Sequence, residues 1–203
     1  MRPNESFVLG LTGGIACGKT TAARYLHDLG VPVLDADAVS HSLTAENGEA
    51  LPAIREAFGD SVFIGEQLDR RALGKIVFSD ADKRRILEEI LHPMIIENMK
   101  RETEALGAPI VVWDVPLLYE AGMDAECDEV WCCYVSETEQ ASRVMQRDGL
   151  SREEALARMN SQMPLKEKCQ RATHTIHTGG SLAETRRRVR GLLNELRRRN
   201  GLE

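Results

Sequence analysis

A chain of 203 residues suits one α/β core with at most a small inserted lobe, and it is long enough to bury a hydrophobic interior. A formal net charge of −6 and an aromatic content of 4% argue against a general nucleic-acid binder, a membrane-surface protein or a base-stacking platform. No run is as long and apolar as a membrane helix, and the opening Met1-Arg2-Pro3-Asn4-Glu5 lacks a signal peptide's apolar stretch, so a cytoplasmic protein without nucleic-acid or membrane partners is expected.

The first predicted element is a short apolar strand, Phe7-Val8-Leu9-Gly10-Leu11-Thr12. It runs into Gly13-Gly14-Ile15-Ala16-Cys17-Gly18-Lys19-Thr20, which has the form G-x-x-x-x-G-K-[ST]. A helix follows over Thr21–Leu29, and Gly30 stands where a helix C-terminal glycine belongs. This strand–loop–helix context is the one in which the motif binds phosphate. Glycine lets the backbone turn its N–H groups inward, and the helix N-terminus adds partial positive charge. The candidate contacts of this phosphate loop are Gly13, Gly14, Ile15, Ala16, Cys17, Gly18, Lys19, Thr20 and Thr21. Lys19 can reach the β- and γ-phosphates, and the Thr20 hydroxyl can ligate Mg²⁺. Cys17 lies near a helix N-terminus, which lowers a thiol's pKa, but a small residue that fits the loop is the better reading. With Cys127, Cys132, Cys133 and Cys169 it makes an odd set of five and no C-x-x-C pair, so neither a zinc site nor a disulfide framework is expected.

A second strand is predicted over Val31–Asp35, with Pro32 in an edge or strand-opening position. It ends in Asp35-Ala36-Asp37, where α/β folds place ligand-facing groups. Two readings stand side by side. The two carboxylates serve Mg²⁺ or a substrate hydroxyl, or an Asp caps a helix over 38–45. From 48 to about 105 the pattern is mostly helical: a helix over Pro52–Phe58, turns at Gly59-Asp60 and Gly65–Asp69, then helices over Arg70–Phe78 and Lys83–Ala105, the last broken near His92-Pro93. That is far more chain than a crossover needs, so a helical substrate lobe is expected.

Ile110-Val111-Val112-Trp113-Asp114 reads as a strand buried on both faces, and Asp114 at its end is a candidate Mg²⁺ carboxylate. Glu129–Val135 is the fourth strand. Ser136 and Glu139 form a predicted capping box, opening a helix that carries Gln140, Arg143 and Arg147. Ser151 and Glu154 form another, for a helix to about Gln162 that Pro164 ends. Residues 143–171 hold Arg143, Arg147, Arg152, Arg158, Lys166, Lys168 and Arg171. One or two of these arginines are expected on a lid over the phosphoryl group, the rest in ion pairs with Glu153, Glu154 and Glu167. A fifth strand over Thr173–His177 precedes a third box, Ser181 with Glu184. The last helix runs to about Arg199 with Leu182, Val189, Leu193 and Leu196 on one face.

Taken in order, these motifs resemble the dephospho-coenzyme A kinases. The resemblance rests on Leu11-Thr12-Gly13-Gly14-Ile15 running into Gly18-Lys19-Thr20, on Asp35-Ala36-Asp37, on Leu68-Asp69-Arg70 and on His92-Pro93. Pro116-Leu117-Leu118-Tyr119-Glu120, then Gln140 with Arg143 and Arg147, and Gln162 ahead of Arg171-Ala172 continue it, so it spans about residues 7–180. It implies a P-loop nucleotide-kinase-like α/β fold in three layers, with a central five-stranded parallel sheet, a helical substrate lobe and a lid. The implied boundaries are one domain over 7–203, with a core of about 7–37, 106–146 and 172–200, a lobe of about 38–105 and a lid of about 147–171. The implied reaction uses ATP and Mg²⁺ to phosphorylate the ribose 3′-hydroxyl of dephospho-coenzyme A, in a monomer or small homo-oligomer. Asp37 is the implied base, Lys19 the phosphate contact, and Arg143 and Arg147 the lid-side arginines. Asp35 is assigned, with Thr20 and Asp114, to the metal, or else to holding Asp37. The chain departs from the family pattern at Ala16-Cys17, where Gly-Ser is usual, and at Thr173 and Thr178, where an Asp and an Asn are usual. Another P-loop nucleoside or nucleotide kinase is the alternative. A nucleotide-dependent switch is the less favoured one, since no Asn-Lys-x-Asp base-reading motif is found.

Overall fold

The computed structural model describes residues 6–202, so the opening pentapeptide read above lies outside the described residues. In chain order the strands are β1 (Phe7–Gly13), β2 (Val33–Asp35), β3 (Phe63–Ile64), β4 (Gln67–Leu68), β5 (Ile110–Asp114), β6 (Glu129–Tyr134) and β7 (His174–His177). The helices are α1 (Lys19–Asp28), α2 (Ala36–Leu43), α3 (Leu51–Phe58), α4 (Arg70–Ser79), α5 (Ala81–Leu106), α6 (Glu137–Asp148), α7 (Arg152–Asn160), α8 (Leu165–Arg171) and α9 (Leu182–Asn200). The chain divides into two compact units, Met1–Leu34 with Thr103–Glu203, and Asp35–Glu102.

The first unit is built on a five-stranded sheet in the order β2-β5-β1-β6-β7. β1 pairs in parallel with β5 on one side and β6 on the other, placing Leu9 opposite both Val112 and Glu129. β6 pairs in parallel with β7. The two-residue period of a strand then sorts the side chains. Phe7, Leu9 and Leu11 share one buried face with Ile110 and Val112, packed with Ala22 and Leu26 of α1 and Val189, Leu193 and Leu196 of α9. Trp113 is fully buried, and its indole N–H donates to the Thr103 hydroxyl at 2.9 Å. All five residues of β5 are buried, as an apolar strand covered on both faces requires. Parallel pairing brings the ends of β1, β5, β6 and β7 to one edge of the sheet, where α/β folds place their ligands.

One expectation about the last helix is corrected. Leu182 is exposed, because it is the first residue of α9 and lies beyond the buried stretch that begins at Thr185. The helix expected to end by Pro164 does end before it, and Pro164 then stands at the N-cap of a further helix, α8, since proline has no N–H to lose before a first turn.

In the second unit, Asp69 caps α4 by accepting from the N–H groups of Arg71 and Ala72, both at 3.0 Å. Arg70 donates to the His41 carbonyl at 3.1 Å. The turn-rich stretch between α3 and α4 contains a short antiparallel pair, β3 with β4, with the Arg55 guanidinium 4.3 Å from the Phe63 ring centre. Helix α5 is not broken at His92-Pro93; it runs through Pro93. A proline inside a helix costs about 3 kcal/mol in a lost hydrogen bond and a carbonyl clash. A helix of 26 residues absorbs one such interruption.

Candidate active site

β1 ends at Gly13, where a Cβ would stand 2.7 Å from the Cys133 carbonyl oxygen, so no larger residue fits without moving β6. The loop then turns tightly: the Cys17 N–H donates to the Gly14 carbonyl at 3.1 Å. Gly18 takes a left-handed φ of 75° and caps α1 without a side chain. Ala16 is also left-handed, at φ 59°, a conformation glycine adopts more readily than alanine. The first-turn amides of α1 have no helical carbonyl to pair with, which makes this a ready anion site. Lys19 forms an ion pair with Asp114 at the end of β5, and both side chains are largely buried. The two residues that the sequence assigned to phosphate and metal are thus in contact. Thr20, beside Lys19, is exposed.

Side chains from two other elements hold this loop from behind. Gln140 of α6 donates from Nε2 to the Ile15 carbonyl at 2.9 Å. Thr178, just after β7, donates from Oγ1 to the Cys17 carbonyl at 2.8 Å. Its own carbonyl accepts from Arg143 Nη2 at 2.9 Å, and the same Arg143 nitrogen lies 2.6 Å from Glu139 Oε1. This explains why the predicted box at Ser136 is half formed. The Ser136 hydroxyl accepts from the Glu139 N–H at 3.2 Å, but the Glu139 carboxylate is turned to Arg143. Gln140 and Thr178 carried no assigned role in the sequence. The available signal was a polar residue on the buried side of α6: Gln140 is buried together with Ala141 and Val144.

In the other unit, Asp35 Oδ1 accepts from the N–H groups of Asp37 and Ala38 at 2.9 and 3.3 Å. Asp35 is therefore the N-cap of α2, and Asp37 lies in its first turn. The chain turns into helix at Ala36, two residues earlier than the predicted start at 38, and the two acids do not share a strand face.

Comparison with known proteins agrees with this frame. A family model described as dephospho-CoA kinase matches residues 7–184. The chain belongs to the dephospho-CoA kinase family. The dephospho-CoA kinase of Carboxydothermus hydrogenoformans is 40% identical over 192 residues, covering 93% of each chain. A solved structure from Thermus thermophilus superposes with a TM-score of 0.81 at 39% identity, covering 95% of this chain and 98% of that one. The dephospho-CoA kinase from Campylobacter jejuni gives 0.72 at 29% identity, with the same coverage.

The Pro-Leu-Leu-aromatic-Glu motif that marks the family resemblance has a visible task here. Glu120 pairs with the fully buried ammonium of Lys168 at 2.8 Å and accepts from the Met163 N–H at 2.9 Å. Lys168 also donates to the Pro116 carbonyl at 2.9 Å, which accepts from Thr12 Oγ1 at 3.1 Å as well. The segment before β7 is thereby tied to the strand that feeds the phosphate loop. Beside it a cleft of about 510 Å³ opens, lined by Gly14, Val135, Gln140, Met159, Met163 and Leu165 among others.

Most of the basic cluster is ion-paired, though not with Glu153, Glu154 or Glu167, while Arg152 and Lys166 are exposed. Arg147 and Arg158 share Asp148, at 2.7 and 2.6 Å, and the Arg147 hydrogen bond, followed by that of Arg158, holds the Asp148 carboxyl down to about 2. Arg171 pairs with Asp124 at 3.0 Å and stacks 4.2 Å from the Tyr119 ring centre. Glu153 is exposed, and Glu154 closes the capping box with Ser151. Cys17 is buried, and burial pushes its thiol up to about 11, outweighing backbone hydrogen bonds at Val135 and Gly14 and the charge of Arg143; a packing role fits it and a reactive thiolate does not.

Proposed function

We propose that this protein transfers the γ-phosphoryl group of ATP to the ribose 3′-hydroxyl of dephospho-coenzyme A, giving coenzyme A and ADP. The observation that carries the reading is the phosphate loop with Lys19 set against Asp114, in a chain whose family is known. Loop amides and the N-terminus of α1 hold the phosphates. Lys19 exchanges its carboxylate partner for the β- and γ-phosphates, so its charge is already in place when charge develops in transfer. Asp37 aligns the hydroxyl and accepts its proton. Arg143 and Arg147 approach the phosphoryl group when the 147–171 segment closes as a lid. In this reading residues 7–203 form one catalytic domain.

The donors available to Mg²⁺ are the Thr20 hydroxyl and the Asp114 carboxylate, with Asp35 assigned as a further carboxylate. An all-oxygen set suits a hard cation, and the carboxylate beside Lys19 lies next to the phosphate loop. Among the described residues no cluster of three or more His, Cys, Asp or Glu could hold a metal alone. This fits an ion that takes most of its ligands from water and substrate phosphates. When bound it supplies charge neutralisation between phosphate oxygens.

The test is ADP release from ATP with and without dephospho-coenzyme A, followed by identification of the phosphorylated product. Release that depends strongly on dephospho-coenzyme A and yields the 3′-phosphate supports the reading. Turnover indifferent to it, or transfer to a different nucleoside or nucleotide at higher kcat/KM, overturns it.

A further inference from the structure

We infer that Gln140 and Thr178 are positioning residues that preset the amides of the phosphate loop for anion binding. The inference rests on the proposed use of ATP. Its basis is a pair of side-chain clasps on alternate loop carbonyls: Gln140 on Ile15 at 2.9 Å and Thr178 on Cys17 at 2.8 Å. The peptide bonds are trans. In a trans peptide the C=O and the following N–H point in opposite directions. A carbonyl held outward by a side chain therefore turns the next N–H toward the other side. Gln140 fixes the Ala16 N–H in this way, and Thr178 fixes the Gly18 N–H.

Both amides belong to the residues with left-handed φ, 59° at Ala16 and 75° at Gly18. These are the positions where the loop needs outside support, above all at Ala16, which lacks glycine's freedom. Thr178 is itself well supported. It is buried, and its N–H donates to the Tyr134 carbonyl at 3.0 Å, so the clasp is anchored to the β6–β7 pair. Its side chain also fills the space beside Gly18, where an added Cβ would come within 3.1 Å of it. The Thr178 carbonyl receives Arg143, so one residue sets the loop and places a candidate lid arginine. Each side chain acts through the loop peptide whose carbonyl it holds.

The experiment compares Thr178→Val, Thr178→Ser, Gln140→Met and the parent chain. Calorimetry gives the Kd for ATP and for inorganic tripolyphosphate, a probe that has phosphates and no nucleoside. Kinetics gives KM for ATP and for dephospho-coenzyme A, well below each melting temperature. Losing one such hydrogen bond is expected to weaken tripolyphosphate and ATP about three- to tenfold. KM for dephospho-coenzyme A stays within about twofold, and Thr178→Ser recovers most of the loss. Gln140→Met is an independent arm should Thr178→Val not fold. Parent-like tripolyphosphate affinity in Thr178→Val and Gln140→Met overturns the inference, as does a serine variant no better than valine. A parent that binds tripolyphosphate through these clasps but does not phosphorylate dephospho-coenzyme A refutes the proposed reaction and leaves the positioning role standing.

Discussion

Lys19 and Asp114 illustrate how one contact changes what a single substitution should do. Read from the motif alone, Lys19 faces phosphate, and its removal should leave stability untouched. In the structure it neutralises a carboxylate that is itself largely buried. Lys19→Ala is therefore expected to abolish nearly all turnover and also to lower stability by about 1–3 kcal/mol, because Asp114 loses a charged partner away from water. Urea melts beside steady-state rates check both halves, and near-normal turnover would remove Lys19 from the mechanism. Asp35 and Asp37 separate differently. Asparagine caps helices about as well as aspartate, so Asp35→Asn should fold as the parent does, within about 0.5 kcal/mol. Asp37→Asn keeps a hydrogen bond to the hydroxyl but accepts its proton poorly. Its turnover should fall by about a hundredfold or more, with ATP affinity near the parent's. Should Asp37→Asn stay fast while Asp35→Asn is dead, the base has been assigned to the wrong carboxylate.

At the scale of elements, the joint between the Pro116–Glu120 segment and α8 is held by a buried ion pair and backbone hydrogen bonds. Lys168 is fully buried and spends its ammonium on Glu120 and the Pro116 carbonyl. Lys168→Ala should cost about 2–4 kcal/mol in a denaturant melt, because it empties a fully buried site and removes the donor of both Glu120 and the Pro116 carbonyl. A loss below about 0.5 kcal/mol would mean that α8 is not held by this pair. The element also shows the reach of local signals. Capping boxes at Ser151 and Ser181 form as their spacing dictates, since every group involved lies within four residues. The box at Ser136 does not close, because Arg143 competes for Glu139. Helix α5 continues through Pro93 where a local rule ends it.

For the whole molecule, the buried thiols make alkaline stability a measurable consequence of packing. Burial raises Cys17 from 9.0 to about 11 and Cys127 to about 12, and raises Cys132, Cys133 and Cys169 as well. Each is a neutral thiol in the folded state that ionises more readily when unfolded. Their contribution is fully present below about pH 9 and is lost as pH rises through the folded values. The melting temperature should hold to about pH 9 and fall steeply between about pH 9 and 11. Thiolate absorbance in the same range should lag in the folded protein and jump on unfolding. A melting temperature independent of pH across that window would show that these thiols ionise as freely in the folded chain as in the unfolded one.

Much of this protein is determined by the sequence alone, because the deciding interactions are short in sequence. The phosphate loop between a strand and a helix, the five sheet strands in chain order, the Asp-Ala-Asp segment and the completed capping boxes all depend on residues a few positions apart. What only the tertiary structure decided lies between residues far apart in sequence. Gln140 meets Ile15 and Thr178 meets Cys17 because β6 pairs with β1 and β7 with β6 in the sheet, an order no local pattern encodes. Lys168 finds Glu120 and Arg171 finds Asp124, partners far away in sequence, because folding selects partners by distance in space. Asp35 shows the boundary between the two. Its sequence allowed a metal ligand or a helix cap; the backbone's turn at Ala36 sets one carboxylate oxygen on two amides of α2, a cap that leaves the proposed metal role to the second oxygen.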